Sequence, residues 1–153
     1  MTDFIPEMRD AKYYEKRLGS KKSAAKKKRD EARKAREFAR KYGSIERVFY
    51  ISECLACAVP GCNAGPQDNA HTQTGGTGRK ADSTTVIPLC TGMYGHHAEW
   101  HKGDKTFCEL YGLDPDKAAA DTEESWTLYG DEVVARAKAD GRFDAWLERT
   151  KTC

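Results

Sequence analysis

The sequence predicts an α+β chain in which a short β-hairpin and the helix after it surround a Cys/His cluster, with a long basic helix before them and further helices after. Three observations predict it. Four of the six cysteines and all four histidines fall between Cys54 and His101. A β-branched run ending in a cysteine, STTVIPLC from Ser83 to Cys90, lies between two Gly-containing loops, the pattern of one hairpin strand. The flanks are rich in Lys, Arg, Glu and Ala, good helix formers.

At 153 residues, a third of them charged and with a mean hydropathy of -0.80, the chain has the material for one small compact centre and much solvated helix. No apolar run approaches the roughly 20 residues that span a bilayer, and no hydrophobic leader opens the sequence, so a cytoplasmic location is expected. In a reducing compartment, close Cys pairs interleaved with His read as zinc ligands before they read as disulfides. A redox role for Cys54-x-x-Cys57 lacks the surrounding βαβ pattern. Net charge is only +2, but residues 1–47 hold 16 Lys and Arg against 8 Asp and Glu, and the remainder 10 against 16. A basic arm therefore precedes a mildly acidic body.

In chain order, Asp10 to Tyr42 favours helix, interrupted only at Gly19-Ser20. Its apolar residues are sparse, so most of it should stay in solvent, docking near Phe38 and Tyr42. It reads either as a solvated charged helix or as an arm whose Lys26, Lys27, Lys28 and Arg29 contact phosphates without reading bases. Ile45 to Ile51 suits a strand or the last turn of a helix. Cys54-x-x-Cys57 has the spacing of a zinc knuckle, and Cys62, after Pro60-Gly61, competes for the same role.

His71 should end a short strand. Gly75, Gly76 and Gly78 then make a permissive loop carrying Arg79 and Lys80, a second pair of candidate phosphate contacts; the loop lacks a P-loop pattern. Ser83 to Leu89 is the expected second strand, ending at Cys90. His96 to His101 begins a helix in which the i, i+4 spacing puts His97 and His101 on one face while His96 points about 100° away. Two adjacent histidines can thus serve two metals. Beyond them, Phe107 to Leu113 suggests a short helix. Asp131 to Lys151 suggests an amphipathic one with a weak point at Gly141, its apolar set joining Trp100 and Trp126 over the metal core. Cys108 and Cys153 have no ligand-like neighbours.

The ordered elements NAHTQTGGTGRKADSTTVIPLC and HHAEWH, preceded by Cys54-x-x-Cys57, resemble the HNH (His-Me finger, ββα-metal) endonucleases, particularly small phage-type members with a zinc knuckle. The resemblance covers about residues 50–113. It implies a ββα-metal core at 45–113 between a basic arm (1–44) and a C-terminal helical extension (114–153) that packs on it. It also implies metal-dependent hydrolysis of DNA phosphodiester bonds, in a phage-encoded protein acting in the host cytoplasm. His71 matches the family's general base, and His97 and His101 match its ligands to a catalytic divalent ion, Mg²⁺ or, since imidazole suits softer ions, Mn²⁺, Ni²⁺ or Zn²⁺. Cys54, Cys57, Cys90 and His96 would complete a structural Cys₃His zinc site, with Cys62 as the alternative ligand.

The chain departs from the family at two places. Ala70 stands where an Asp or His often precedes the base, and Thr84 and Thr85 stand where an Asn is usual. Asp82 is the nearest carboxylate, as an orienter of His71 or a metal ligand. The alternative function is a non-catalytic zinc-stabilised nucleic-acid-binding or adaptor module, which needs only the Cys cluster and the basic arm.

Overall fold

The computed structural model describes residues 24–73 and 81–151. Helix α1 (Ala24–Tyr42) opens the described chain, and the boundary between two compact units falls inside it, after Arg36. In the first unit, Lys26, Lys27, Lys28 and Arg29 are all exposed. The expected helix start at Asp10 lies outside the described residues, as do Arg79, Lys80 and Cys153. The boundary comes earlier than the expected 44/45 because Phe38 and Tyr42 belong to the second unit, where their rings lie 5.4 Å apart and Tyr42 packs against an apolar cluster.

The second unit is mixed α and β. The segment IERVFYI, open from sequence between strand and helix, is helix: α2 runs from Ile45 to Cys54, capped by Ser44, whose side chain accepts from the Arg47 amide at 3.1 Å. Strands β1 (Gln67–His71) and β2 (Val86–Cys90) pair antiparallel with Ala70 opposite Ile87 and His71 opposite Val86. β1, QDNAH, has poor intrinsic strand propensity. It is held by the ladder to β2, all five of whose residues are buried. The expected second strand starts three residues late, because Ser83–Thr85 form a 3₁₀ turn. Asp82 imposes it: its carboxylate accepts from the Thr84 amide at 2.9 Å and from the Thr84 hydroxyl at 2.6 Å.

Short helix α3 (His96–Trp100) follows the hairpin, then α4 (Asp104–Tyr111) and α5 (Pro115–Ser125), which starts at an Asp114 cap with proline in its first turn. A π turn, Trp126–Gly130, leads into α6 (Asp131–Ala139). Gly130 is required there, since a Cβ would lie 2.1 Å from the Trp126 ring. The expected single C-terminal helix is broken at Gly141, which adopts φ 78°, and resumes as α7 (Arg142–Lys151).

Two apolar clusters divide this unit. Ala70, Ile87, Leu89, Trp100, Phe107, Leu113 and Ala119 pack around the cysteines on one side. Phe49, Tyr50, Ile51 and Val86 pack with Val134, Ala137, Phe143 and Trp146 on the other. The second cluster corrects the expectation that the C-terminal apolar set and Trp126 cover the metal core. Trp126 lies 5.5 Å from the Tyr50 ring, and Phe143 and Trp146 meet Phe49 edge-on, so they bury α2 instead. Polar contacts reinforce this seam: buried Arg47 pairs with Glu123 at 2.7 Å, and the Tyr50 hydroxyl meets the Ser125 hydroxyl at 2.8 Å. On the hairpin side, the Asn69 amide donates to Ser52 at 2.9 Å, tying β1 to α2.

Candidate metal centre

Cys57, Cys62, Cys90 and His96 converge so that their ligand atoms all lie within 4.8 Å of one another, a cluster that can hold a metal ion such as zinc. The His96 Nδ1 is 3.3 Å from both the Cys57 and the Cys90 sulfur, and the Cys62 and Cys90 sulfurs are 4.0 Å apart. Two thiolates bound tetrahedrally at about 2.3 Å stand about 3.8 Å apart, so the donor set fits such an ion with little movement. Burial pushes the Cys57 thiol up to about 11. A divalent cation among the four donors reverses that balance and holds its cysteines as thiolates.

The structure corrects the ligand set expected from sequence: Cys62, the alternative, takes the place of Cys54. α2 continues through Cys54 and leaves it exposed at the helix end, whereas Cys57 lies beyond the helix and is buried. The working knuckle is Cys57-Ala-Val-Pro-Gly-Cys62. Its turn closes with Gly61 at φ 76° and the Cys62 amide donating to the Val59 carbonyl at 3.1 Å. The longer loop between Cys90 and His96 closes as well. Gly95 allows it, because a Cβ there would meet the Thr91 carbonyl oxygen at 2.3 Å, and the His96 amide donates to the Cys90 sulfur at 3.3 Å. Tyr111 and Phe107 then meet the His96 ring edge-on at 4.8 and 5.9 Å and fix its orientation from α4.

The neighbouring imidazole turns elsewhere. His97 Nε2 lies 3.0 Å from His101 Nε2, and its Nδ1 lies 2.8 Å from an oxygen of Asp68. Sequence reasoning missed Asp68. Strand alternation says only that positions 68 and 70 of β1 share a face; that this face meets α3, where Ala70 packs in the cluster that contains Trp100, is decided by the fold. An open cleft of about 640 Å³ runs beside this pair, lined by Asp68 and His97 together with Tyr42, Asn69, Thr91 and Trp146.

His71 stands apart from that pair. Its ring centroid is 5.1 Å from that of Tyr42, and its Nδ1 is 3.4 Å from the Thr85 hydroxyl, which itself donates to the Asp82 carbonyl at 2.9 Å. With that hydrogen engaged, the Thr85 oxygen is an acceptor for an Nδ1–H. His71 Nε2 is buried without a hydrogen-bond partner. Burial, reinforced by the positive charges of Lys41 and Arg40, holds the His71 pKa below its usual value, with Asp82 acting weakly the other way. Asp82 reaches His71 only through that field. Its carboxylate is spent on Thr84, which together with the charges of His71 and Arg40 holds it low, so Thr85 takes the orienting place expected of Asp82.

No protein-family model, no curated protein and no solved structure matches this chain. Among the described residues no helix is long and apolar enough to cross a membrane.

Proposed function

We propose that the chain is a metal-dependent endonuclease of the HNH type that hydrolyses DNA phosphodiester bonds, with a structural zinc and a second, exchangeable divalent ion. The observation that carries the reading is the divergence of two adjacent imidazoles. His96 faces three thiols, and His97 faces away, toward His101 one helical turn on and an open cleft.

Two imidazole nitrogens 3.0 Å apart are a pair of donors that suits a first-row divalent cation. When bound, such an ion supplies charge neutralisation at the phosphate and the leaving oxygen. His71 takes the proton of the attacking water. Thr85 accepts from its Nδ1–H, which leaves Nε2 as the basic nitrogen, and burial together with Lys41 and Arg40 keeps the ring neutral at pH 7, as a base must be; Nε2 is buried in this structure, so the reading requires substrate binding to open a path for water to it. Tyr42 links the two groups: its ring packs tilted against that of His71, and it lines the cleft beside His97. The exposed Lys26, Lys27, Lys28 and Arg29 supply sequence-independent phosphate contacts.

The test is nicking of supercoiled plasmid by the zinc-loaded protein with added Mg²⁺ or Mn²⁺. His71→Ala should lower it about 10²- to 10⁴-fold and His97→Ala should abolish it; equal activity in wild type and both variants rejects the reading. A second reading, a zinc-stabilised nucleic-acid-binding or adaptor module without catalysis, is favoured by the closed four-donor cluster and by the place of His71 at the opposite end of the hairpin from Cys90, with its ring against Tyr42 and Thr85. Metal content separates the two, since the module predicts one tightly held zinc and nothing exchangeable.

A further inference from the structure

We infer that Asp68 is a positioning residue for the second ion: it fixes the His97 imidazole as the Nδ1–H tautomer, so that the Nε2 lone pair is directed at the point shared with His101. The inference rests on the nuclease reading only in taking His97 and His101 as ligands, and it concerns a residue that the sequence resemblance does not mark. Three observations carry it. The Asp68 oxygen stands 2.8 Å from His97 Nδ1, the distance of a charge-assisted hydrogen bond. His97 Nε2 meets His101 Nε2 at 3.0 Å, so of the two His97 nitrogens the one turned away from Asp68 is the one turned toward the second imidazole. Asp68 is also the only acid on β1 and sits directly opposite Leu89, one residue from the end of the fully buried strand. A carboxylate there is anchored to a rigid ladder and can hold an imidazole in one orientation, as outer carboxylates do for metal-bound histidines.

The alternative donor pattern is unfavourable. An Nε2–H tautomer of His97 would set two lone pairs, Nδ1 and the Asp68 oxygen, against each other at 2.8 Å. At 3.0 Å apart, the two Nε2 atoms need little movement to share one divalent cation at about 2.1 Å from each.

The experiment uses the full chain loaded with zinc and titrated with Mn²⁺, reading the free ion by its EPR signal. Asp68→Ala should weaken Mn²⁺ binding about 10- to 100-fold while zinc content and the circular-dichroism melting curve stay those of wild type. Unchanged Mn²⁺ affinity in this variant overturns the proposal. A measurement on the wild type needs no variant to fold: ¹⁵N spectra of the zinc-loaded protein should show His97 as the Nδ1–H tautomer, and an Nε2–H tautomer overturns it. Failure here is distinct from failure of the nuclease reading. Plasmid nicking with Asp68-independent Mn²⁺ binding removes Asp68 alone, whereas Asp68-dependent binding without nicking removes the nuclease and leaves the ion site.

Discussion

Two groups of donors sit back to back at the start of α3, and they are built in opposite ways. The Cys57, Cys62, Cys90 and His96 cluster draws on the knuckle, the end of β2 and the start of α3, with two of its four residues buried and the aromatic rings of α4 against the histidine. The His97 and His101 pair comes from one turn of helix, with His101 exposed and a cleft alongside. A closed four-donor set leaves no corner for substrate and suits an ion that holds structure; an incomplete, accessible set leaves corners for water and phosphate. The contrast teaches that adjacency in sequence need not mean shared work, because successive helical residues point about 100° apart.

The largest effect should come from breaking the closed cluster. Cys62→Ser or Cys90→Ser, or prolonged chelation, should abolish the cooperative thermal transition and near-UV circular dichroism. Structural zinc binding is worth about 10–16 kcal/mol, which equals or exceeds the about 5–15 kcal/mol that holds a typical domain together. A fully folded zinc-free protein would collapse the distinction between the two donor groups.

Next come the open-site variants. His71→Ala should lower metal-dependent nicking about 10²- to 10⁴-fold and His97→Ala should remove it, both with zinc content at wild-type level. Loss of zinc from His97→Ala would show that the two groups are not separate.

A smaller effect concerns pH. Because the His71 pKa lies below the usual value, the proposed base stays neutral into mildly acid solution, and the acid limb of the nicking rate should fall at a pH below about 6.5. The same shift affects stability. Unfolded His71 binds a proton more readily than folded His71, so its contribution to stability is present above about pH 6.5 and is lost as pH falls through that value toward the lower folded one. His71→Gln should flatten this part of a melting-temperature profile; an unchanged slope would remove the assigned cause.

The smallest effect sharpens the ligand assignment. Cys54→Ser, at an exposed helix end, should change stability by no more than about 0.5 kcal/mol and leave one zinc bound. A collapse like that of Cys62→Ser would return Cys54 to the site.

Much of the centre was legible in the residues. The Cys and His content between positions 54 and 101, the β-branched run into Cys90 and the i, i+4 histidines place a hairpin, a helix and a metal cluster in order, since each depends on local spacing and backbone preference. Gly141 as the weak point of the last helix was legible for the same reason. The fold of IERVFYI was not, because its β-branched and aromatic residues suit either state locally. It is packing against Val134, Phe143 and Trp146, joined by Arg47 to Glu123, that commits the segment to helix.

The choice between Cys54 and Cys62 was open for a related reason. Both spacings can form a tight turn, and only the point at which α2 stops decides which sulfur reaches the site. Asp68 and Thr85 likewise emerge only in three dimensions. Local sequence fixes which donors exist and how they are spaced along one element, whereas the pairing of a carboxylate on β1 with an imidazole on α3, and of a threonine on the 3₁₀ turn with His71, is set by strand register and helix docking, which burial of distant apolar residues determines.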